Sequence, residues 1–514
     1  MSLLLHHFLE NSADKNPDKP VLWHKENWYD YRSLEESANK IAGFLIDKNL
    51  RKGDRVAMIW ENSFHYVAIY YGILKAGGVV VALNTETTPD SIAYLLDNSG
   101  ARFFFVQKTF ARFVKPIKNN IDALDGIIWD ELPKGWPSEK SYFFWTEIQE
   151  KYAPERPQIR IINIDLAAIV YTSGSTGKPK GVTLSHLNVC TNTQSIVSYL
   201  KLSAKDRIMV ILPFYYIYGL SLLNTHIAVG GSLVIDNRFA FPNVVLDTME
   251  KQQVTGFAGV PSTFAILLNK SNVRSRSFKK LRYLTQAGGA MAPVLQSEVA
   301  EVFSPAKLIV MYGATEASAR LTYLDPEFHS QKLGSIGKAI PNVEVFVADH
   351  NGQPLAAGEQ GEIVARGANM MQGYWRDLQE TAKVVRNGLY FTGDLGKTDE
   401  DGFLYVVGRS KDMIKVGANR ISAKEIEEAI LENENVVEVA VIGVPDDILG
   451  EAMDACVVLK ERHNGWEKDL LEFTRKKLPP FKVPSYFSPL DALPKNTSGK
   501  VMKNKIRKLK GLEV

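Results

Sequence analysis

Two cysteines in 514 residues, Cys190 and Cys456, are too few for a disulfide framework and point to a reducing compartment. No stretch approaches the roughly 18 consecutive apolar residues of a membrane-spanning helix. Charge of one sign is also lacking. The 61 basic residues nearly balance the 58 acidic ones, which leaves no compositional footprint of nucleic-acid binding. Fixed-period repeats and low-complexity tracts are absent. The opening MSLLLHHFLENSADKNPDKP has neither a basic n-region nor a small-residue cleavage site, so it is expected to form a first helix, not a signal peptide. A soluble, cytoplasmic protein is the expectation.

What is present suits a large globular protein: 45% hydrophobic and 23% charged residues, in a chain long enough for more than one core. Up to about residue 408, short Val- and Ile-rich runs alternate with helix-period segments. RVAMIW (55–60), LAAIVY (166–171), RIMVIL (207–212), SLVI (232–235) and KLIVMY (307–312) are such runs. Near-continuous apolar strands separated by helices predict sheets buried on both faces, an α/β architecture. Tyr70–Leu83 reads as a helix that ends at Gly77-Gly78 and passes straight into a strand.

After Gly408 the texture changes. A charged GRSKDMIK segment leads to a predicted helix over 423–432, strands over 436–444 and 455–459, and a helix over 468–477. About 100 residues of α+β character make a small domain. The expected division is therefore 1–409, layered α/β sheets, and 410–514, a smaller α+β unit.

The densest chemical signal is YTSGSTGKPKG, Tyr171 to Gly181, directly behind an apolar strand. Its glycines let backbone N–H groups converge on anionic oxygens, its hydroxyls add donors, and Lys178 and Lys180 add charge. Such a loop suits a triphosphate. A Walker A loop is excluded by spacing: Gly174 stands only three residues before Gly177, and Pro179 follows Lys178 where Ser or Thr is required.

This loop is similar to the signature of the adenylate-forming superfamily, which includes acyl-CoA synthetases, peptide-synthetase adenylation domains and beetle luciferases. YGATE (312–316), YFTGD (390–394), GRSKD (408–412) and PKNTSGK (494–500) follow in family order. The resemblance implies ATP-dependent activation of a carboxylic acid as its acyl-AMP, then transfer to a pantetheine thiol, with a mobile C-terminal domain. It places Thr172, Ser173, Gly174, Ser175, Thr176, Gly177, Lys178 and Lys180 on ATP phosphates, with Tyr312 and Gly313 nearby. Thr315 is implied to touch the α-phosphate, and Glu316 to hold Mg²⁺, a cation that needs only one or two protein carboxylates beside phosphate and water. Asp394 is implied to accept from the ribose hydroxyls, with Arg409 as companion; a carboxylate suits a diol because it offers only acceptors.

QAGGA (286–290) is similar to the strand end against which adenine stacks and along which the acyl group lies, which involves Ala287, Gly288, Gly289 and Ala290. Lys500 is implied to bridge the substrate carboxylate and the α-phosphate. Lys411, with Asp412 after it, is the implied hinge of a two-state rotation. The second state presents MIKVGANRI (413–421), in which Lys415 and Arg420 contact the adenylate or pantetheine and Gly417 and Ala418 line the thiol channel. Many relatives have Gly at the position of Ala418, a departure that leaves both CoA and a carrier-protein phosphopantetheine open as acceptor.

In PFYYIYG (213–219), Tyr216 takes the position of a histidine common among acyl-CoA synthetases. Tyr215, Tyr216 and Tyr218 individually suit core packing; with Gly219, Val260-Pro-Ser262 and Gly288 they are expected to wall an acyl pocket. Ile217 stands where amino-acid-activating relatives carry an Asp. An apolar residue cannot pair a buried ammonium, so the acid is expected to lack an α-amino group and to be aryl or aliphatic. A non-catalytic nucleotide sensor is the reading from another class, and it would be expected to have lost Glu316 or Lys500; both are present.

Overall fold

The computed structural model describes residues 4–117, 124–136, 139–172, 179–409, 413–416, 419–446, 450–496 and 499–512. Two large, mostly parallel sheets dominate. One has nine strands, among them Arg207–Val210, Ser232–Ile235, Gly256–Gly259, Tyr283–Gln286 and Lys307–Tyr312 as parallel neighbours. The other has eight, built on Arg55–Ile59, Val79–Ala82, Ala101–Val106 and Leu166–Thr172.

Alternation along each strand explains the layering. In Arg207–Val210, Ile208 and Val210 enter a core shared with the second sheet, while Met209 faces the opposite core with Val234, Phe257 and Leu284. In Arg55–Ile59, Val56 and Met58 face the shared core, and Ala57 and Ile59 face a third one with Val79, Val81 and Phe104. Because successive side chains of a strand point to opposite faces, a strand buried on both must be apolar throughout. The shared core holds the helices Tyr31–Asp47, Phe64–Lys75, His186–Tyr199 and Ile217–Ala228. The outer faces are covered by Pro242–Lys251, Pro261–Lys270 and Pro293–Val302 on one side and Pro89–Ser99 on the other. Five layers result, α/β/α/β/α.

The first helix, His6–Lys15, forms as expected, and the helix Phe64–Lys75 passes through Gly77, at φ +77°, into the strand Val79–Ala82. One expectation needs correction. The α/β alternation does not run to residue 408: Val343–Ala348, Gly361–Gly367, Val385–Arg386, Leu389–Thr398 and Leu404–Arg409 form an antiparallel five-stranded sheet. Its strands bury only part of their length, and an antiparallel sheet with one wetted face needs no continuous apolar run. A further sheet joins Asn419–Ser422, Met413–Val416, Gly450–Leu459, Val436–Asp446 and Tyr486–Pro489, with its own core around Ile426, Val441, Val457 and Trp466. Helices Ala423–Leu431 and Trp466–Lys477 flank it, close to the predicted spans.

A buried charge cluster ties the first helices together. Lys75 Nζ lies 2.7 Å from Glu10 and 2.8 Å from Glu35, and Arg156 Nε reaches the same Glu35 oxygen at 2.7 Å. Removing one partner of a buried pair strands the other charge. Glu35→Ala is therefore expected to destabilise the protein by about 3 kcal/mol, seen as a lowered midpoint of thermal unfolding; an unchanged midpoint would show that Glu10 alone suffices.

Candidate active site

Strand Leu166–Thr172 turns back antiparallel into Lys180–Ser185, with Tyr171 opposite Gly181 and Thr172 opposite Lys180. The intervening Ser173, Gly174, Ser175, Thr176, Gly177 and Lys178 lie outside the described residues. The hairpin nonetheless fixes where that loop leaves and re-enters the sheet. Lys180 pairs with the Glu380 carboxylate and lies 5.2 Å from the centre of the Tyr374 ring. Hydrogen bonding from Lys180, then from Lys383, draws the Glu380 carboxyl down to about 2. In this conformation Lys180 is held by protein, so a phosphate would have to compete with Glu380 for it.

Strand Lys307–Tyr312 ends in a tight loop that carries Thr315 and Glu316 on a short 3-10 turn, Thr315–Ala317. Gly313 is obligatory for internal reasons, because a Cβ there would overlap the Ala319 carbonyl. The fully buried Asn369 donates to the carbonyls of Ala317 and Arg320, both at 3.0 Å, and its own carbonyl accepts from Ser318 Oγ at 2.8 Å. Tyr374 OH donates to Glu316 Oε1 at 2.8 Å, and burial followed by the nearby carboxylate pushes that phenol well up. The tyrosine thereby orients Glu316 through one oxygen. The half-buried carboxylate is a hard donor of the kind Mg²⁺ takes together with phosphate oxygens.

Asp394 is buried and receives two donors, Tyr312 OH to Oδ2 at 2.6 Å and Arg409 Nε to Oδ1 at 2.7 Å. Strand pairing produces this: Asp394 stands directly opposite Arg409. Burial, then the Asp394 charge, pushes the Tyr312 phenol far up, so it stays a donor. Two carboxylate oxygens present about four lone-pair positions, which leaves acceptor capacity for a diol.

The third group surrounds the end of strand Tyr283–Gln286. Gln286 Nε2 donates to the Gly289 carbonyl at 2.8 Å and closes the turn that leads to Ala290. Gly288 has φ +84°, and a Cβ on it would sit 3.2 Å from Val260 Cγ1; Ala287 beside it is buried. Against the same Val260-Pro261-Ser262 segment lies Gly499 of the PKNTSGK motif, whose Thr497 and Ser498 lie outside the described residues. Ser262 Oγ donates to the Gly499 carbonyl at 3.0 Å. Lys500, exposed, follows immediately, its N–H bonded to Asn496 Oδ1 at 2.9 Å. Gly499 is thus seated on the Val260–Ser262 segment, with Lys500 next to the contact.

Tyr218 is buried and bonds Thr285 through its OH at 2.9 Å, which ties the helix Ile217–Ala228 to the strand of the Gly288 turn. Tyr215 and Tyr216 lie with ring centres 4.7 Å apart, Tyr216 and Ile217 half-buried at the helix start. Gly219 has a packing explanation: a Cβ would overlap the Pro213 carbonyl. Lys415 is exposed on its strand, opposite Arg420 in register. Lys411, Gly417 and Ala418 lie outside the described residues.

Tyr374, Asn369 and Asn192, whose Nδ2 donates to the Arg320 carbonyl at 2.9 Å, belong to none of the five motifs. Their partners stand tens to more than a hundred residues away, and local spacing carries no trace of such pairs.

Phosphate hairpin, carboxylates and seated lysine loop together define a nucleotide-dependent enzyme on a layered α/β scaffold. Family models agree: "AMP-binding enzyme" matches residues 9–375 and "AMP-binding enzyme C-terminal domain" matches 425–500. The chain belongs to the AMP-binding enzyme family. It is 31% identical to a long-chain-fatty-acid–CoA ligase of Bacillus subtilis, over 98% of this chain and 94% of that protein. Among solved structures it is similar to the anthranilate CoA ligase AuaEII in complex with anthranoyl-AMP, with TM-score 0.92, 25% identity, and 99% and 98% of the two chains covered. It is similar also to the o-succinylbenzoate coenzyme A synthetase of Bacillus subtilis in complex with ATP and magnesium, with TM-score 0.83, 28% identity, and 97% and 99% covered.

Proposed function

We propose that this protein joins a carboxylic acid, aryl or aliphatic and without an α-amino group, to CoA in two steps. The carboxylate attacks the α-phosphorus of ATP and pyrophosphate leaves, giving acyl-AMP; the CoA thiol then attacks the acyl carbon and AMP leaves. The observation that carries this reading is the Gly499–Ser262 contact, which seats the Lys500 loop beside the Gly288 turn. Two anions must meet in the first step, so charge neutralisation and positioning dominate it.

Each residue then has a task. Lys500 balances charge between carboxylate and α-phosphate, Thr315 and the 172–180 hairpin hold phosphate oxygens, and Asp394 with Arg409 holds the ribose. Mg²⁺, held by Glu316, would supply further charge neutralisation at the phosphates. Tyr374 fixes the Glu316 carboxylate for that purpose. Val260, Ala287, Gly288, Tyr215, Tyr216 and Tyr218 wall the acid.

The division into 1–409 and 410–514, with Lys411 as hinge, belongs to the same proposal. It is supported by the separate core of the sheet that begins at Met413. In the second state Lys415, Gly417, Ala418 and Arg420 would face the site. A cytoplasmic setting fits the two buried, unbridged cysteines, and among the described residues no helix is long and apolar enough to cross a membrane.

ATP–pyrophosphate exchange is expected to require an added carboxylic acid, and AMP release to accelerate when CoA is supplied. Absence of exchange across a broad panel of aryl and aliphatic acids would refute the enzyme reading. Exchange that CoA does not turn into net AMP release, but a phosphopantetheinylated carrier protein does, would move the acceptor to the carrier.

A further inference from the structure

Arg320 is the most deeply buried arginine near the site, only 2% exposed, and the first proposed reaction gives it no task. It follows the Glu316 loop directly and packs against Tyr218, one of the tyrosines proposed to wall the acid. Its guanidinium carbon lies 4.1 Å from the centre of the Tyr218 ring. Tyr218 in turn bonds Thr285, three residues before Gly288 on the strand end that faces the Lys500 loop.

The polar partners of this cation are neutral, the Tyr199 hydroxyl among them. Nε meets Met311 Sδ at 3.3 Å, Nη1 meets the Ala319 carbonyl at 3.2 Å, and Nη2 reaches Ser221 Oγ only at 3.5 Å. Among the described residues no carboxylate pairs with it. Arginine cannot shed its proton, so the charge persists, and burying an uncompensated charge is strongly unfavourable. A nearby tyrosinate does not compensate either, since burial pushes the phenols of Tyr199 and Tyr218 up.

The backbone is also strained to put the side chain there. Ser318 has φ +55° and Ala319 φ +119°, left-handed values that cost a residue with a Cβ. Three independent groups hold the strained turn: Asn369 and Asn192 on the Arg320 carbonyl, and the Cβ-free Gly313 that admits the Ala319 carbonyl. A fold that merely needed to fill this space would do so with an apolar side chain at less cost.

We propose that Arg320 is the receptor for a second anionic group on the acid, so that the preferred substrate is a dicarboxylic acid activated at one end and held by Arg320 at the other. This rests on the acid-activating reading above and deepens it. A guanidinium presents a planar pair of N–H donors that matches a carboxylate bidentately. Arg320 is thus a specificity-determining residue in the pocket, and the Tyr218 ring is the platform that keeps its fork in plane.

The test compares kcat/KM for acid-dependent AMP release, with ATP and CoA, across straight-chain α,ω-dicarboxylic acids, the monocarboxylic acids of equal length, and the ω-hydroxy acids as neutral polar controls. The wild-type protein is expected to favour a diacid over its monoacid by roughly tenfold or more, one to two hydrogen-bonded charge contacts' worth. R320M is expected to abolish or invert that ratio by raising KM for the diacid, and R320K to restore it in part. A wild-type preference for monoacids at every length, or a ratio unchanged in R320M, would overturn the proposal. The wild-type ratio decides the matter even where R320M fails to fold. Release of AMP with monoacids alone would leave the acid-activating reading standing while this one falls; no release with any acid would remove both.

Discussion

Lys500→Ala is expected to lower acid-dependent ATP–pyrophosphate exchange by about 10²–10³-fold, the usual cost of deleting one group that stabilises transition-state charge. Transfer from preformed acyl-AMP to CoA is expected to stay within a few-fold of wild type. The asymmetry follows from what meets in each step. Adenylation brings a carboxylate against a polyphosphate, and a positive charge there relieves repulsion that peaks in the transition state. Thiol transfer starts from an adenylate from which pyrophosphate has already gone. Single-turnover measurements of each half-reaction would check this; equal loss in both would show that Lys500 serves the fold or the nucleotide generally.

Gly499→Val is expected to reproduce much of that loss, about 10²-fold in exchange, without touching any charge. A Cβ at Gly499 would lie 2.6 Å from Ser262 Oγ and 2.7 Å from Val260 Cγ2, and φ +78° disfavours a branched residue further. The loop could then no longer seat, and a displacement of about 1 Å at a positioned catalytic group costs on that order. Thiol transfer from acyl-AMP is the control, since it does not need this seating. If exchange in Gly499→Val equals wild type, the contact with Ser262 is incidental and the role assigned to Lys500 loses its geometric support.

Much of the scaffold was legible because its physics is local. RVAMIW, SLVI and KLIVMY became strands at the expected places, since a strand buried on both faces needs an uninterrupted apolar run. RIMVIL was cut short at Val210, where the chain must leave the sheet to enter the turn at residues 213–216 ahead of the helix Ile217–Ala228. The antiparallel sheet of residues 343–409 was not legible, because half-exposed strands mix polar and apolar residues without a dominant period. In the site, Asp394 and Arg409 were expected together from the family resemblance, and they face each other across one strand pair. The bonds from Tyr374 to Glu316 and from Lys180 to Glu380 join segments far apart in the sequence, and nothing in the spacing announces them. Gly219 and Gly313 show the opposite limit: their lack of a side chain serves the packing of neighbouring carbonyls.

Arg409, bonded to Asp394, closes its strand just before the proposed hinge. The carboxylate proposed to hold the ribose would therefore be shared between the nucleotide and Arg409. If the small unit rotates as proposed, whatever occupies the remaining acceptor sites of Asp394 would alter the hold on Arg409, and with it the balance between the two orientations. Thermodynamic reciprocity then requires that each orientation grip nucleotide with a different affinity, by the same coupling free energy. ATP and AMP, which carry the same ribose, would thus bias that proposed rotation in the same direction through a single ion pair.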